Sequence, residues 1–248
     1  MNIVKTKSFE IAIYSKGNPK SARFALVLPG KLDTKDYAHM HSHVEYLANK
    51  GFFALSFDPP GTWESPGDIQ LYTMTNYLKA VDELVQYFGN KPTFIMGHSR
   101  GATVATIAGA RNKYIAAFVA VMSSFSKGSF QEEVNKEWKT KGYAISKRDL
   151  PPGGGAKDKE FKLPFGFLAD QMKYDLTEDL TSSTKPKLFI LGKNDDLIPP
   201  ETIRETYKSF AEPKVLNELD SNHDYRLKPH LINQVNEIVG AFLDTYLV

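Results

Sequence analysis

The sequence predicts an α/β architecture, a mostly parallel sheet with helices on both faces. Three observations carry that prediction. Apolar runs of four to eight residues recur along the chain, and most are closed by a glycine or proline turn. Between them lie longer stretches with apolar residues at helical three- and four-residue spacing. One stretch, residues 123–183, breaks the alternation and reads as an insertion.

In chain order, residues 9–14 (Phe-Glu-Ile-Ala-Ile-Tyr) alternate in polarity, as an antiparallel edge strand does. Residues 24–28 (Phe-Ala-Leu-Val-Leu) form a buried strand ended by Pro29-Gly30. Residues 52–57 form another, ended by Asp58-Pro59-Pro60-Gly61. Tyr77, Val81, Leu84 and Val85 make the apolar stripe of a helix. Residues 93–96 are a strand closed by Gly97, followed by the helical pattern Ala102, Val104, Ala105, Ile107 and Ala108. Residues 116–121 and 187–191 are further strands, the second ended by Gly192, and 215–219 is the last. Leu231, Val235, Ile238, Val239, Phe242 and Leu243 mark a final helix, with Pro229 placed for its first turn.

From 123 to 183 no clear strand is evident. The segment holds Pro151-Pro152-Gly153-Gly154-Gly155 and the aromatics Phe125, Phe130, Trp138, Tyr143, Phe161, Phe165 and Phe167. A structureless loop of that length is disfavoured in a compact chain, so the expectation is a cap built of short helices. The whole of 1–248 is expected to be one domain carrying that cap, since α/β architectures of this length are commonly single.

Composition narrows the function. Lys+Arg 31 against Asp+Glu 29 leaves a formal charge of +2, too small for binding driven by phosphate neutralisation, so no nucleic-acid partner is expected. The absence of cysteine removes disulfides, Cys-ligated zinc, iron–sulfur clusters and a cysteine nucleophile. The apolar stretch at 115–122 is far shorter than the roughly 20 residues of a membrane-spanning helix, so stable membrane insertion is not expected. The start, Met1-Asn2-Ile3-Val4-Lys5, meets charge too early for a signal peptide. The expectation is a cytoplasmic protein, with a processed exported chain as the alternative.

The chemistry centres on Gly97-His98-Ser99-Arg100-Gly101, a G-x-S-x-G between a strand and an Ala-rich helix. So tight a turn needs glycine two residues before and two after the serine, where any side chain meets backbone. It stands the hydroxyl at a helix N-terminus, which favours negative charge. A serine hydroxyl needs a base to take its proton. Of six histidines, His223, in the polar loop Asp220-Ser221-Asn222-His223-Asp224 after the last strand, is positioned for this. His39, His41 and His43 fall in a helical stretch and read as a solvated surface. His98 points away from its neighbour serine, and His230 belongs to the first turn of the last helix. A carboxylate must then orient the histidine, and Gly192-Lys193-Asn194-Asp195-Asp196-Leu197-Ile198-Pro199 supplies two, Asp195 and Asp196. Two backbone N–H groups must meet the developing oxyanion; these are expected from Arg100 and Lys31, with no requirement on either side chain.

Together these pieces resemble the α/β-hydrolase superfamily over nearly the whole chain, and imply its mostly parallel eight-stranded sheet. Leu28-Pro29-Gly30-Lys31 is similar to the family's oxyanion loop L-H-G-x, Asp58 to Ser65 to its D-x-x-G-x-G-x-S, and Asn222-His223-Asp224 to its histidine loop. Gly192 to Pro199 resembles its G-x-x-D-x-x-x-P, which places the acid on Asp195. The chain departs from the pattern at Pro29, where the family has histidine, and at Thr62-Trp63, where Trp63 is expected to pack rather than project into the site. Within the superfamily the resemblance is to the serine esterase and lipase group: carboxylesterases, monoacylglycerol lipases, and cinnamoyl or feruloyl esterases.

The implied activity is hydrolysis of a small-molecule carboxylic ester through Ser99, His223 and Asp195, with no cofactor and no metal. A thioesterase or small-peptide hydrolase uses the same chemistry with different pockets, and a non-catalytic ligand-binding relative is the reading from outside enzymes. The aromatic, partly charged cap favours short, medium or aromatic acyl groups over long aliphatic ones.

Overall fold

The computed structural model describes residues 2–125, 132–151 and 158–247. Its first half comprises β1 (Asn2–Lys5), β2 (Glu10–Lys16), β3 (Phe24–Leu28), α1 (Ala38–Asn49), β4 (Phe53–Phe57), α2 (Met74–Tyr87), β5 (Thr93–His98), α3 (Arg100–Arg111) and β6 (Ile115–Val121). The insertion then contributes α4 (Glu132–Lys141), β7 (Tyr143–Asp149), β8 (Asp158–Pro164), α5 (Phe165–Gln171) and α6 (Thr177–Ser182). The chain ends with β9 (Lys187–Gly192), α7 (Pro200–Tyr207), β10 (Lys214–Leu219) and α8 (Pro229–Tyr246).

Eight strands form one sheet in the order β1-β2-β4-β3-β5-β6-β9-β10. β2 runs antiparallel to both its neighbours, and every other pair is parallel. The central strands are buried along their whole length, which is why they read as unbroken apolar runs rather than alternating ones. Successive side chains still divide between two cores. Ala25, Val27, Phe94 and Met96 pack with Met40, Val44 and Leu47 of α1 and Leu231 and Val235 of α8. Leu26, Leu28 and Ile95 pack with Tyr77, Val81 and Leu84 of α2 and Ala102 and Ala105 of α3.

This order sets the place of the site. From β3 the chain passes to β4 on one side, then returns to β5 on the other, so β3 and β5 flank the point where the winding reverses. Crevices open at the carboxyl ends of strands at such a point. Leu28 and Gly97 are in register there, which brings the loop after β3 beside the turn after β5.

Two expectations are corrected. The strand at 9–14 is not the edge, because β1 pairs outside it from Asn2↔Ile13 to Lys5↔Glu10. β1 is four residues long, too short for its alternation to stand out. The insertion is also not purely helical: β7 and β8 form an antiparallel hairpin from Tyr143↔Pro164 to Asp149↔Asp158. β7 carries Lys147, Arg148 and Asp149 and no fully buried residue, so it lacks the apolar run by which the other strands were recognised. Its partner β8 supplies Phe161 and Leu163 to the core. Of the features read in this segment, Phe130 and residues 152–155 lie outside the described residues.

Candidate active site

Ser99 sits between β5 and α3 with φ 52° and ψ −119°, a left-handed conformation that costs a non-glycine residue on the order of 1–3 kcal/mol. The surrounding structure enforces it. Ser99 N–H donates to the Val121 carbonyl at 2.9 Å, and its own carbonyl accepts from Ala102 N–H at 3.0 Å. The flanking glycines are sterically required. A Cβ on Gly97 would lie 2.3 Å from the Gly101 backbone, and one on Gly101 would lie 2.3 Å from the Leu28 carbonyl oxygen.

His223 follows β10, and its Nε2 lies 2.9 Å from Ser99 Oγ. Its Nδ1 lies 2.8 Å from Asp195 Oδ2. The other oxygen of Asp195 accepts from the Leu197 and Ile198 N–H groups at 3.0 and 2.8 Å. Burial alone would raise the Asp195 carboxyl; the bond from His223 and those two N–H groups outweigh it and hold the group below the usual carboxylate range. Asp196 is exposed. The acid and histidine loops are tied to each other: Lys193 N–H donates to Leu219 O, Asn194 N–H to Ser221 O, and Asn194 Nδ2 to Asp220 Oδ1.

The loop after β3 is clamped by four hydrogen bonds. Tyr77 OH donates to Pro29 O at 3.1 Å, Arg148 Nε to Lys31 O at 2.8 Å, and Trp63 Nε1 to Leu32 O at 2.8 Å. Leu32 N–H donates to Tyr72 OH at 3.0 Å. The N–H groups of Lys31 and Arg100 have no acceptor among the described residues.

Residues 26–147 match a family model described as alpha/beta hydrolase fold. Solved structures align over nearly their whole length. Est1E from Butyrivibrio proteoclasticus with bound ferulic acid is 18% identical at a TM-score of 0.77, covering 100% of this chain and 99% of its own. Mouse alpha/beta hydrolase domain-containing protein 10 is also 18% identical at 0.77, covering 98% of each. The chain has the α/β-hydrolase fold. A thioesterase domain from the curacin biosynthetic pathway is 14% identical at a TM-score of 0.72, covering 96% of this chain and 98% of its own. At these identities the likeness to individual structures is one of fold. No curated protein sequence matches the chain.

The candidate site contains residues that sequence reasoning missed. His98 is buried, and its Nε2 lies 3.0 Å from the backbone carbonyl of His223. Trp63 packs edge-on against Phe161 and Tyr37, as expected, but its indole N–H also holds the loop after β3. Tyr72, Tyr77 and Arg148 grip that loop from positions remote in sequence.

The histidine cluster is a correction. His39 and His43 are fully buried; only His41 is partly exposed, stacked on Tyr14. Positions 39 and 43 are four apart and share the inward stripe of α1 with Met40, Val44 and Leu47. His43 Nδ1 is 2.6 Å from Asn236 Oδ1 and its Nε2 is 2.7 Å from Tyr225 OH. Facing the Asn236 carbonyl oxygen, Nδ1 donates, and in the neutral ring Nε2 then accepts from Tyr225 OH. Burial first, with the charge of His98 adding to it, lowers His43 to about 4.

Among the described residues two groups have metal-compatible spacing. Asp36, Asp58 and Glu64 form one, but the Lys35 ammonium already lies between them, at 2.6, 3.5 and 2.7 Å. Asp33, His39 and His98 form the other, all buried, with ligand atoms within 4.8 Å of one another. No described helix is long and apolar enough to cross a membrane.

A cavity of about 190 Å³ opens beside Ser99, bounded by Lys31, Arg100, Trp138, Phe167, Leu168 and others. Trp138 comes from α4, and Phe167 and Leu168 from α5, so the insertion supplies part of its wall.

Proposed function

We propose that this protein of α/β-hydrolase fold is a serine hydrolase that cleaves carboxylic esters through Ser99, His223 and Asp195. The observation carrying the reading is the continuous hydrogen-bonded chain from Ser99 Oγ through both nitrogens of His223 to Asp195. An ionised Asp195 accepts from Nδ1–H, which leaves the Nε2 lone pair facing the serine hydroxyl.

Ser99 Oγ attacks the ester carbonyl as His223 takes its proton. The oxyanion forms against the N–H groups of Lys31 and Arg100, which have no other acceptor among the described residues. Protonated His223 then gives its proton to the departing alkoxide oxygen, leaving an acyl group on Ser99. Water enters, His223 takes a proton from it as the hydroxide adds to the acyl carbon, and the protonated ring returns that proton to Ser99 Oγ as the acyl–Oγ bond breaks and the acid is released. These steps use only the chain's own side chains and backbone.

The cavity of about 190 Å³ is small beside the roughly 300–1,000 Å³ of typical ligand pockets, and Trp138 and Phe167 line it. That supports short, medium or aromatic acyl groups in small-molecule esters. The ferulic acid named in one structural neighbour agrees with an aromatic acyl group. The thioesterase neighbour favours a second reading, thioester hydrolysis at the same serine. Retention of all three residues in one chain of hydrogen bonds argues against a non-catalytic binding relative.

The test is kcat/KM across 4-nitrophenyl esters from about two to sixteen carbons, a cinnamoyl ester, and matched thioesters. The expected maximum lies between acetyl and about octanoyl, or at cinnamoyl. A steady rise to the longest chain would make it a lipase, and a preference for every thioester over its matched ester would make it a thioesterase.

A further inference from the structure

Among the described residues that line the cavity beside Ser99 are two cationic ones, Lys31 and Arg100, and no aspartate or glutamate. Lys31 Nζ has no carboxylate within ion-pair distance among the described residues; its near neighbours are the faces of Trp138 at 5.8 Å and Phe167 at 5.7 Å. Arg100 is 6% exposed, and its guanidinium lies over Phe167 at 4.1 Å and Tyr72 at 5.1 Å. Its Nη1 donates to the neutral Gln171 side chain, while Nε and Nη2 are buried with no acceptor among the described residues.

A buried guanidinium with no counter-ion is unfavourable, and an anion placed nearby relieves that cost even without touching it. The ring faces offer only partial compensation, through the quadrupole, and they leave the hydrogen-bonding edge of a guanidinium free. The nearby Arg148 adds positive charge, although it has Asp33 at 3.5 Å as a partner. Burial first, then the charges of Arg148 and Arg100, lowers the Lys31 ammonium to about 8, the response of a cation whose neighbours are not anions. Oxyanion stabilisation by backbone N–H does not require either side chain to be charged.

We infer that the substrate itself carries an anionic group, a carboxylate on the acyl or the leaving side of the scissile ester, bound in this cavity by the Lys31 ammonium in the positive field of the buried Arg100 guanidinium. The carboxylate supplies the anionic partner that Lys31 lacks, the buried Arg100 guanidinium adds positive charge behind it, and Trp138 and Phe167 bound the space for the carbon chain between it and the ester. This deepens the ester-hydrolase reading and rests on it.

Two matched pairs of esters test the inference. In the first, 4-nitrophenyl hydrogen adipate is compared with its methyl ester, which removes the charge on the acyl side. In the second, 3-carboxy-4-nitrophenyl butyrate is compared with 4-nitrophenyl butyrate, which places the charge on the leaving side. Each rate is divided by the spontaneous rate of the same ester. The expected result is a kcat/KM at least about tenfold higher for the anionic member of one pair, expressed mainly in KM, and a fall of that ratio toward one in Lys31→Met. The ratio within a variant cancels any loss of oxyanion stabilisation that both esters share. Arg100→Gln should lower it less, through the lost charge alone; because Arg100 is buried, the Lys31→Met ratio decides if that variant does not fold. A ratio of one or less in both pairs, or a ratio unchanged in Lys31→Met, overturns the inference while leaving ester hydrolysis standing. No turnover of any ester, with no fluorophosphonate adduct on the protein, overturns the ester-hydrolase reading and this inference with it.

Discussion

His98 Nε2 lies 3.0 Å from the carbonyl oxygen of His223, so the residue before the proposed nucleophile fastens the backbone of the proposed base. The two rings are 5.2 Å apart, and His98 is buried. The bond ties the end of β5 directly to the loop after β10. It sets the depth at which the His223 ring enters, and thereby the 2.9 Å contact with Ser99.

His98→Gln is expected to lower kcat about tenfold to a hundredfold with little change in KM, since displacing a catalytic group by around an ångström costs that much. Thermal unfolding should show a folded protein. A kcat equal to wild type would mean that the His223 loop holds its position without this bond.

Asp195→Asn is expected to lower kcat by roughly three to four orders of magnitude, because an amide no longer holds His223 in the accepting tautomer. Asp196 is exposed, and Asp196→Asn should stay within a few-fold of wild type. An assay with one activated ester ranks the two. The opposite ranking would reassign the acid.

Gly101→Ala is expected to destabilise the fold by about 3 kcal/mol or more, because its Cβ would lie 2.3 Å from Leu28 O and 2.5 Å from Pro29 O, both backbone atoms. Relief requires the loop after β3 to move, so activity should fall in whatever fraction remains folded. Urea unfolding measures the first effect, and an unchanged midpoint would show that the elbow and that loop are not in contact.

His43 predicts a pH dependence of stability. Its folded value of about 4 lies below the ordinary value near 6.5, so between them the unfolded chain binds a proton that the folded chain does not. Stability due to this group is complete above about 6.5, falls as pH drops toward 4, and changes no further below that. The full loss is on the order of 3 kcal/mol. Urea midpoints at several pH values, compared between wild type and His43→Gln, should show a shallower slope in the variant. Equal slopes would place the ring outside the folded core.

How much was legible in the sequence follows from where each signal resides. The central strands and the serine turn could be read because a doubly covered strand must be continuously apolar, and the turn must carry glycine at Gly97 and Gly101. The acid and histidine loops follow strand ends in chain order. The clamp on the loop after β3 was not legible. Arg148, Tyr72 and Trp63 reach it from sequence separations of 117, 40 and 31 residues, and no local pattern encodes such contacts. His39 and His43 were misread because imidazole is usually polar surface, although their spacing of four already put both on one face of α1. The hairpin of β7 and β8 escaped because its charged, half-exposed first strand lacks a buried run.

The most direct test of the central claim is the intact mass of the protein after treatment with a fluorophosphonate. One adduct is expected on the wild type and none on Ser99→Ala, with the variant folded and its ester turnover reduced by several orders of magnitude. An adduct forming on Ser99→Ala at the wild-type rate would contradict it.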